Sequence, residues 1–249
     1  MNIEWIQIPD GQFQMGIANE EASHLANTYN SQTFLWEAPQ RPVWLDTFEI
    51  SKYPVTYRQY DAFRNATGRT RMVSPYYAQH RRTGDDSILD HPVAWVSWYD
   101  ALAFCQWAGV RLPTEAEWEK AARGSDGLRY PWGNQWCDEY CNSSERGETM
   151  TTPVNAYPQG ASPYGVMDLA GNVWEWTDGW ITTNIMSPKQ IGEQDQHDEH
   201  LTTYEHLPIL RGGSTASNHV GVRTTLRFAK YDPHQWGDWV GFRCVRLAS

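Results

Sequence analysis

The sequence predicts a compact α+β domain built from many short helices and strands, with a second half dominated by loops. Three observations lead to this prediction. Helix-start signals recur three times in the first half of the 249-residue chain, short segments alternate apolar and polar residues as half-buried strands do, and little periodicity follows Arg129. Aromatic residues make up 14% of the chain, and such a composition favours a packed domain over a disordered one.

Two strand regions are predicted near the N-terminus. In IQIPDGQFQMG, apolar residues alternate on both sides of a Pro9-Asp10-Gly11 turn, which is typical of a β-hairpin. The polar residues 17–41 show no period and are predicted to be irregular. In PVWLDTFEIS the alternation changes phase between Leu45 and Phe48, which indicates a strand with a bulge.

Three short helices are predicted from one start signal, a Ser or Thr followed three residues later by Gln, Asp or Glu. The hydroxyl accepts a backbone N–H of the first turn, and the residue three positions on bonds back to the start of the helix. A glycine closes each stretch, because glycine readily adopts the left-handed conformation that ends a helix. The three stretches run from Thr56 to Gly68, from Ser97 to Gly109 and from Thr114 to Gly124.

The remainder of the chain is predicted to be loop-rich, with short strands in ILRGGS and WVGFRCVRLAS. No internal repeat or linker divides the sequence, so residues 1–249 are predicted to form one domain, with residues 181–206 as a surface excursion. A long loop-rich region inside a compact domain indicates that function or bound ions hold it in place.

Charge and hydropathy argue against two classes of partner. The formal net charge is −10 and no run of Lys and Arg exceeds two residues, which argues against binding to nucleic-acid phosphates. No stretch reaches the roughly 20 apolar residues of a membrane span, and the first residues lack the basic and apolar regions of a secretory signal. The chain is therefore expected to be cytoplasmic and to bind neither nucleic acid nor membrane.

A series of motifs, in order along the chain, closely resembles the formylglycine-generating enzyme (sulfatase-modifying factor) family. The series comprises IPDGQFQMG, PVWLDTFEISKYPVT, HPVAWVSWYDALAFCQWAGVRLPTEAEWEKAARG, YPWGN, YGVMDLAGNVWEWTDGW, LRGGS and GFRCVR. Together these motifs extend over most of the chain with the spacing of that family. The resemblance implies an α+β fold related to the C-type lectins, with little regular secondary structure and with bound calcium in many members.

The sequence departs from that family at its reactive positions. Formylglycine generators carry two cysteines shortly after Arg-Gly-Gly-Ser, and these hold the copper that activates oxygen. Counting from Ser214 places them at positions 217 and 222, where this chain has Ser217 and Val222. A serine hydroxyl binds soft Cu(I) poorly and valine has no ligand atom, so neither copper nor formylglycine-generating activity is expected.

The four cysteines are too few for a disulfide scaffold in a chain of this length. Cys137 and Cys141 have the spacing of half a zinc site, but no second pair completes it, so they are interpreted as loop cysteines. The resemblance implies that Cys105 and Cys244 lie side by side in the core. We expect this pair to be reduced in the cytosol and able to form a bridge under oxidation.

The resemblance also implies a structural calcium site in DLAGNVWEW. Calcium binds oxygen ligands, and Asp168 and Glu175 would offer carboxylates while Gly171 and Val173 would offer backbone carbonyls. A hydrogen-bonded turn without metal is the alternative. A second calcium site of the family falls at Asn142, although the aspartate expected before TTPV is missing.

A ligand-binding surface is predicted on residues 215–239, because aromatic and polar side chains together are what a binding groove needs. A covalent serine hydrolase is not favoured, since the spacing around Ser217 and His219 provides no acidic third member of a triad. The predicted ligand-binding residues are Ser217, His219, Tyr231, His234, Trp236 and Trp239.

Three arginines of the same region are expected to brace the core rather than to bind anions. The resemblance implies this role, because arginines at such positions are framework residues in the family. They are Arg211, Arg223 and Arg227.

Two classes of function fit these observations. The first, which is favoured, is a non-catalytic C-type-lectin-like protein that presents residues 215–239 to a protein or small-molecule ligand. Some relatives of this kind are variable proteins of diversity-generating retroelements, whose changeable residues lie in the same segment. The second is a metal-dependent oxidoreductase of the ergothioneine-type sulfoxide-synthase branch or of the siderophore-maturation branch. A sulfoxide synthase would need iron from a partner chain or from His197, His200 and His206, a group more typical of a polar surface loop.

Overall fold

The computed structural model describes residues 2–70, 74–148, 150–182 and 206–248. Within these ranges the chain forms eight short strands and five short α-helices, which confirms the predicted α+β class. The strands are β1 (Trp5–Ile8), β2 (Gly11–Met15), β3 (Arg41–Leu45), β4 (Phe48–Ser51), β5 (Trp174–Thr182), β6 (His206–Arg211), β7 (Val240–Phe242) and β8 (Val245–Leu247). The helices are α1 (Asn19–Thr28), α2 (Tyr57–Thr67), α3 (Pro75–Thr83), α4 (Trp98–Ala108) and α5 (Glu115–Arg123).

The described strands form three small sheets, in the orders β1-β4-β8, β2-β3 and β6-β5-β7. All of these pairings are antiparallel except that of β5 with β7, in which Trp174 lies opposite Val240 and the strands run parallel. A parallel pair needs a long crossover connection, and the chain that includes β6 and residues 212–239 provides it. The segment predicted to bind ligands is therefore part of a crossover between two paired strands.

The predicted hairpin over the first two strands is wrong. Both strands exist, but Ile8 of β1 lies opposite Phe48 of β4, whereas β2 pairs with β3 in another sheet. Lys120 of α5 donates to the carbonyls of Pro9 and Gly11 at 2.7 and 3.0 Å, so the turn is held by an amine from a distant helix. Local alternation identified the strands, but it could not identify their partners.

Two further expectations for this region are corrected. Residues 17–41 are not wholly irregular, because they contain α1 and a 3-10 helix over Gln32–Glu37. Buried Ala22 and Ala26 lie four residues apart on one face of α1, a stripe too narrow to give a clear sequence period. The phase change after Leu45 marks the passage from β3 to β4, which belong to different sheets, rather than a bulge in one strand.

All three predicted helices are confirmed together with their caps. In α2 the Thr56 hydroxyl accepts the N–H of Gln59, whose side chain accepts the N–H of Thr56, and α4 and α5 begin with the same reciprocal bonds. Helix α3 was not predicted from the sequence; it begins at a proline capped by Ser74. No helix in the described part of the chain is both long enough and apolar enough to cross a bilayer.

The main core lies between α2, α4 and the sheet that contains β5 and β7. The ring of Phe104 on α4 packs against that of Phe242 on β7, with 5.3 Å between the ring centroids. Trp176 of β5 is fully buried in the same core. Cys105 and Cys244 are neighbours in this core with 3.8 Å between their sulfur atoms, which confirms the predicted proximity. Both thiols are free, and burial raises the pKa of Cys244 well above its usual value.

Part of the predicted excursion over residues 181–206 belongs to regular structure. Strand β5 ends at Thr182, and His206 begins β6, where its ring lies 3.0 Å from the Thr182 hydroxyl. Residues 183–205, with His197 and His200, lie outside the described residues.

A carboxylate on α5 connects three parts of this fold. Glu119 accepts the N–H of Gly16 at 2.6 Å and pairs with Arg123 at 2.9 Å through one oxygen. Its other oxygen lies 2.5 Å from Arg211 at the end of β6, and the carboxylate and both guanidinium groups are buried. Removing one partner of such a buried pair leaves an uncompensated charge in the core.

We predict that Glu119→Gln lowers the free energy of unfolding by about 3–5 kcal/mol, because two buried arginines lose their counter-charge. Urea denaturation followed by circular dichroism measures this change. Asp90→Asn is the control, since its pair with Arg58 has side chains 57% and 59% exposed and is worth about 0–1 kcal/mol. Equal losses in the two variants would contradict the prediction.

Candidate functional site

The segment that follows β6 is folded back on itself by Arg211. Its guanidinium donates to the carbonyls of residues 224–226 at 2.9–3.1 Å and pairs with Glu119. Gly212 and Gly213 have φ values of 93° and 77°, a backbone conformation that favours glycine. The reversal therefore depends on two glycines at the turn and on one arginine that holds its far end.

Two more arginines attach this segment to the N-terminal region. Arg223 pairs with Glu37 at 2.6 Å, and both side chains are buried. Arg227 donates to the carbonyl of Trp36 at 2.6 Å and lies 3.0 Å from Glu115. Burial lowers the pKa of Arg227, against the opposing effect of Glu115. The expectation that these arginines and Arg211 brace the core is confirmed, because each guanidinium group contacts carboxylate or carbonyl oxygens of distant residues.

Positions 217 and 222 lie side by side next to Gly213. A Cβ placed on Gly213 would lie 2.7 Å from Cγ1 of Val222 and 3.2 Å from Cβ of Ser217, so both side chains approach one point. The Ser217 hydroxyl accepts the N–H of Ser214 at 3.0 Å, and Val222 is fully buried. The fold thus brings together the two positions where the resemblance implies thiols, with a hydroxyl and an isopropyl group in their place.

Val222 packs into an aromatic cluster from the loop that follows α5. Tyr130 and Cys141 are its buried neighbours in that cluster, and the half-buried Trp132 and Trp136 pack against it. The rings of Tyr130 and Trp132 stack with 5.2 Å between their centroids. Burial raises the pKa of Cys141 to about 12, so this thiol stays protonated at neutral pH.

His219 forms an imidazole–carboxylate pair beside this cluster. Its Nδ1 lies 2.5 Å from Oε1 of Glu145, its backbone N–H donates to the other carboxylate oxygen at 3.0 Å, and its ring lies 5.9 Å from that of Trp136. Sequence spacing did not reveal this acidic partner, since Glu145 precedes His219 by 74 residues. Among the described residues the Ser217 hydroxyl accepts the N–H of Ser214 and forms no hydrogen bond with His219, so the three side chains do not form a hydrolase triad.

Two of the predicted ligand-binding residues have structural contacts near β7. The ring of Tyr231 lies 6.5 Å from that of Trp176, and a Cβ on Gly237 would come within 2.8 Å of the Tyr231 hydroxyl oxygen. The carbonyl of Trp239 accepts the N–H of Trp174 at 2.8 Å. These contacts hold the residues that precede β7 against β5.

His234 belongs to a row of four rings that we call the aromatic ladder, formed by Trp180, Trp98, Tyr99 and His234. Successive ring centroids are 5.2, 5.3 and 4.5 Å apart. Trp236, two residues after His234, is 47% exposed. The predicted surface therefore divides into one region at Ser217 and His219 and a second at the aromatic ladder.

Three of the ladder rings were not predicted from the sequence. Trp98 and Tyr99 begin α4, and Trp180 lies on β5. Tyr99 and Trp180 are 43% and 42% exposed whereas Trp98 is buried, and this exposure depends on distant packing that local spacing does not encode.

The predicted calcium region is a buried polar junction between two chain segments. Asn172 donates from its side chain to Oδ2 of Asp168 at 2.8 Å and from its backbone N–H to the carbonyl of Asn142 at 2.8 Å. A Cβ on Gly171 would lie 2.2 Å from that same carbonyl, so the two backbones are in close contact there. Oδ1 of Asn142 and Oγ of Ser143 are buried without a protein hydrogen-bond partner.

Some of the predicted calcium ligands at this junction are free to bind a cation, and one of them is not. Burial raises the pKa of Asp168 to about 8, so its charged form needs a compensating cation. Glu175 is differently engaged, because its oxygens accept from Arg243 at 2.6 and 2.8 Å and from the Trp118 indole at 2.7 Å. Calcium therefore stays a prediction at two neighbouring places. The first rests on Asp168 and the carbonyls of Gly171 and Val173, and the second rests on Asn142 and its neighbour Ser143.

We predict that calcium raises the melting temperature of chelator-treated protein and that Asn142→Ala reduces the effect, because the variant removes a buried oxygen of the second predicted site. Calcium at about 100 times its dissociation constant stabilises a protein by about 2.7 kcal/mol. Calorimetric titration and thermal melts measure both quantities. Asn155→Ala, at an exposed position, is the control. Protein that gives neither binding heat nor a higher melting temperature has no such site.

The other candidate metal ligands are not brought together. Cys141 belongs to the aromatic cluster, while Cys137 is half-buried at the start of a 3-10 turn. In the described ranges, no three His, Cys, Asp or Glu side chains are grouped closely enough to hold a metal ion.

Comparison with known proteins relates this site to one family. Residues 1–248 match the model of the Sulfatase-modifying factor enzyme 1-like domain. The chain is 37% identical over 226 residues to the formylglycine-generating enzyme of Thermomonospora curvata, a match that covers 70% of this chain and 71% of the relative. It is 31% identical over 301 residues to the inactive C-alpha-formylglycine-generating enzyme 2 of Bos taurus, with 99% and 89% covered. It is also 32% identical over 274 residues to YfmG of Bacillus subtilis, and that match covers 97% of this chain but only 54% of the relative.

Two solved structures share the fold over nearly their whole length. PvdO from Pseudomonas aeruginosa superposes with a TM-score of 0.71 at 24% identity, covering 99% of this chain and 95% of that protein. Treponema denticola variable protein 1 superposes with a TM-score of 0.71 at 19% identity, covering 100% and 96%. These likenesses establish the fold that the sequence resemblance implied.

Proposed function

Because the chain belongs to the family of Sulfatase-modifying factor enzyme 1-like domains, we propose that it is a non-catalytic, ligand-binding member of that family. The observation that carries the proposal is the state of positions 217 and 222. They are adjacent, yet one is a serine bonded to Ser214 and the other is a buried valine. The copper chemistry that the resemblance implies needs two thiolates, which these side chains cannot supply.

The three buried thiols do not replace them. Cys141 is the cysteine packed closest to Val222 in the aromatic cluster, and its pKa of about 12 keeps it protonated. Cys105 and Cys244 face each other in the main core, where both are fully buried. A thiolate pair open to a substrate peptide is therefore not provided by these three residues.

Two exposed regions of the predicted surface support a binding role. The pair formed by His219 and Glu145 offers polar groups beside the half-buried Trp136, and the aromatic ladder offers rings that are open to solvent. Aromatic side chains of this kind dominate the binding energy of many interfaces. The relative from Bos taurus, which by its name is inactive, supports the proposal that this frame can exist without the oxidation.

We propose further that, if a diversity-generating retroelement varies this chain, it acts on the exposed positions of residues 215–239. Buried Val222, Arg223 and Thr224 hold the segment in place and would not tolerate change. The exposed positions are Ala216, Asn218, Lys230, His234, Trp236 and Asp238.

A retroelement role predicts a reverse-transcriptase gene and a template repeat of this segment next to the gene for this protein. Sequencing the locus checks both. In such a repeat, mismatches would concentrate at codons for the six exposed positions. If the locus lacks the repeat, the retroelement role is refuted, whereas the proposal that the protein binds a ligand is unaffected.

We predict that the purified protein, given copper and oxygen, forms no aldehyde in a cysteine-containing sulfatase peptide. A Ser217→Cys, Val222→Cys double variant is expected to gain Cu(I) binding, since both side chains approach one point. Mass spectrometry of the peptide and competition with a chromophoric Cu(I) chelator give the two readouts. Ser217→Ala, Val222→Ala is the matched control. Aldehyde formation by the unmodified protein, or iron bound in stoichiometric amount, would refute the proposed function.

A further inference from the structure

The aromatic ladder is a preorganised surface. The indole N–H of Trp98 donates to the carbonyl of Thr177 at 2.9 Å, and the N–H of Tyr99 donates to the carbonyl of Pro233 at 3.4 Å. These bonds tie the start of α4 to β5 on one side and to the turn before His234 on the other. The ladder rings are thus set by backbone contacts across three segments.

The ladder is also open to solvent at both ends. Trp180 is 42% exposed and Tyr99 is 43% exposed, while His234 and Trp236 are exposed on the neighbouring turn. Trp98 is only 8% exposed, so the exposed rings lie on either side of a buried one. A cluster of exposed aromatic side chains commonly marks a binding site. A planar ligand group that stacks on one ring leaves the other exposed rings uncovered, so several such groups would be needed to cover the ladder.

Three carboxylates lie two residues along the chain from Trp180, His234 and Trp236. Asp178 is exposed two residues before Trp180, and Asp238 is exposed two residues after Trp236. Asp232 accepts the N–H of His234 at 2.6 Å. None of the three carboxylates has a basic group within 4.0 Å among the described residues.

Lys230, four residues before His234, is the basic residue nearest to that ladder ring along the chain, and its ammonium group lies over a different ring. The Lys230 ammonium lies 6.0 Å from the centroid of the Tyr231 ring, which is not a ladder ring. With a chain charge of −10, the ladder region therefore combines electron-rich ring faces with carboxylates that form no close ion pair among the described residues, and Asp178 attracts Arg111 only at longer range.

We infer that the aromatic ladder docks arginine side chains of a protein partner. This inference rests on the proposed binding function, because His234 belongs to the predicted ligand-binding segment. The guanidinium group is planar, always charged and weakly hydrated, so it stacks on Trp and Tyr faces at a smaller desolvation cost than an ammonium. The carboxylates of Asp178, Asp232 and Asp238 supply the opposite charge at the edges.

The test uses a short peptide with two arginines separated by one glycine and the same peptide with citrulline, which is nearly isosteric but neutral. Binding to the isotopically labelled protein is followed by NMR. We expect the arginine peptide to shift the indole N–H signals of Trp98 and Trp180, and the citrulline peptide to bind more weakly. Added salt should weaken the arginine complex, because exposed charges are screened.

Substitutions locate the site. Tyr99→Ala and Trp180→Ala are each expected to weaken arginine-peptide binding about two- to fivefold, the range for an exposed cation–π contact. Trp44→Ala is the matched control, since Trp44 is 63% exposed on β3, away from the ladder, and its loss should leave the affinity unchanged. If Tyr99→Ala fails to fold, the Trp180→Ala variant and the citrulline peptide decide the question.

Equal binding of the arginine and citrulline peptides, no binding of either, or equal losses in the Trp44 and Trp180 variants would overturn the inference. A neutral saccharide that shifts the same indole signals while the arginine peptide does not would also overturn it, but would leave a binding function intact. Aldehyde formation or stoichiometric iron would instead refute the proposed function without changing the peptide result.

Discussion

Buried guanidinium groups hold this fold together, because its loops place many backbone carbonyls inside the protein without a helix or sheet to satisfy them. Buried carbonyls need donors, and one arginine supplies five. Arg211 bonds three carbonyls of its own segment, Arg123 bonds those of Gln14, Gly16 and Gly127, and Arg243 bonds those of Ser51 and Met167. Two buried glutamates supply the opposite charge, Glu119 for Arg123 and Arg211 and Glu175 for Arg243. The arginine–glutamate pairs thus stand in place of regular backbone hydrogen bonds.

The residues that fold the segment after β6 differ from the residues at the two reactive positions of the family. Most contacts that fold the segment after β6 come from Arg211, Arg223, two glycines and Glu37, and these do not involve the side chain at position 217 or 222. The two positions therefore stay adjacent whether they carry thiols, a hydroxyl or an alkyl group. A family that builds its reactive segment in this way can change or lose a reaction without rebuilding the domain.

Local signals in the sequence predicted the parts of the structure that are themselves local. The three capped helices form as expected, because a hydroxyl, an acceptor three residues later and a closing glycine act within one segment. Strand pairing failed for β1 and β2, since the partners lie far along the chain. In the site, Ser217 and Val222 were found by counting from a motif, whereas Glu145 and the exposed ring of Tyr99 were missed because distant packing creates them.

The sheet β1-β4-β8 joins the first strand of the chain to its last one. Val245 of β8 lies opposite Ile50, and the neighbouring Arg243 reaches the carbonyl of Ser51 on β4. Part of the interior is thus closed by contacts between residues far apart along the chain, such as Arg243 and Ser51, which are 192 residues apart. Contacts of such high sequence separation slow the search for the native state. A nascent chain in which β8 has not yet been synthesised exposes the apolar surface that this strand covers, and exposed apolar surface of this kind is what chaperones bind.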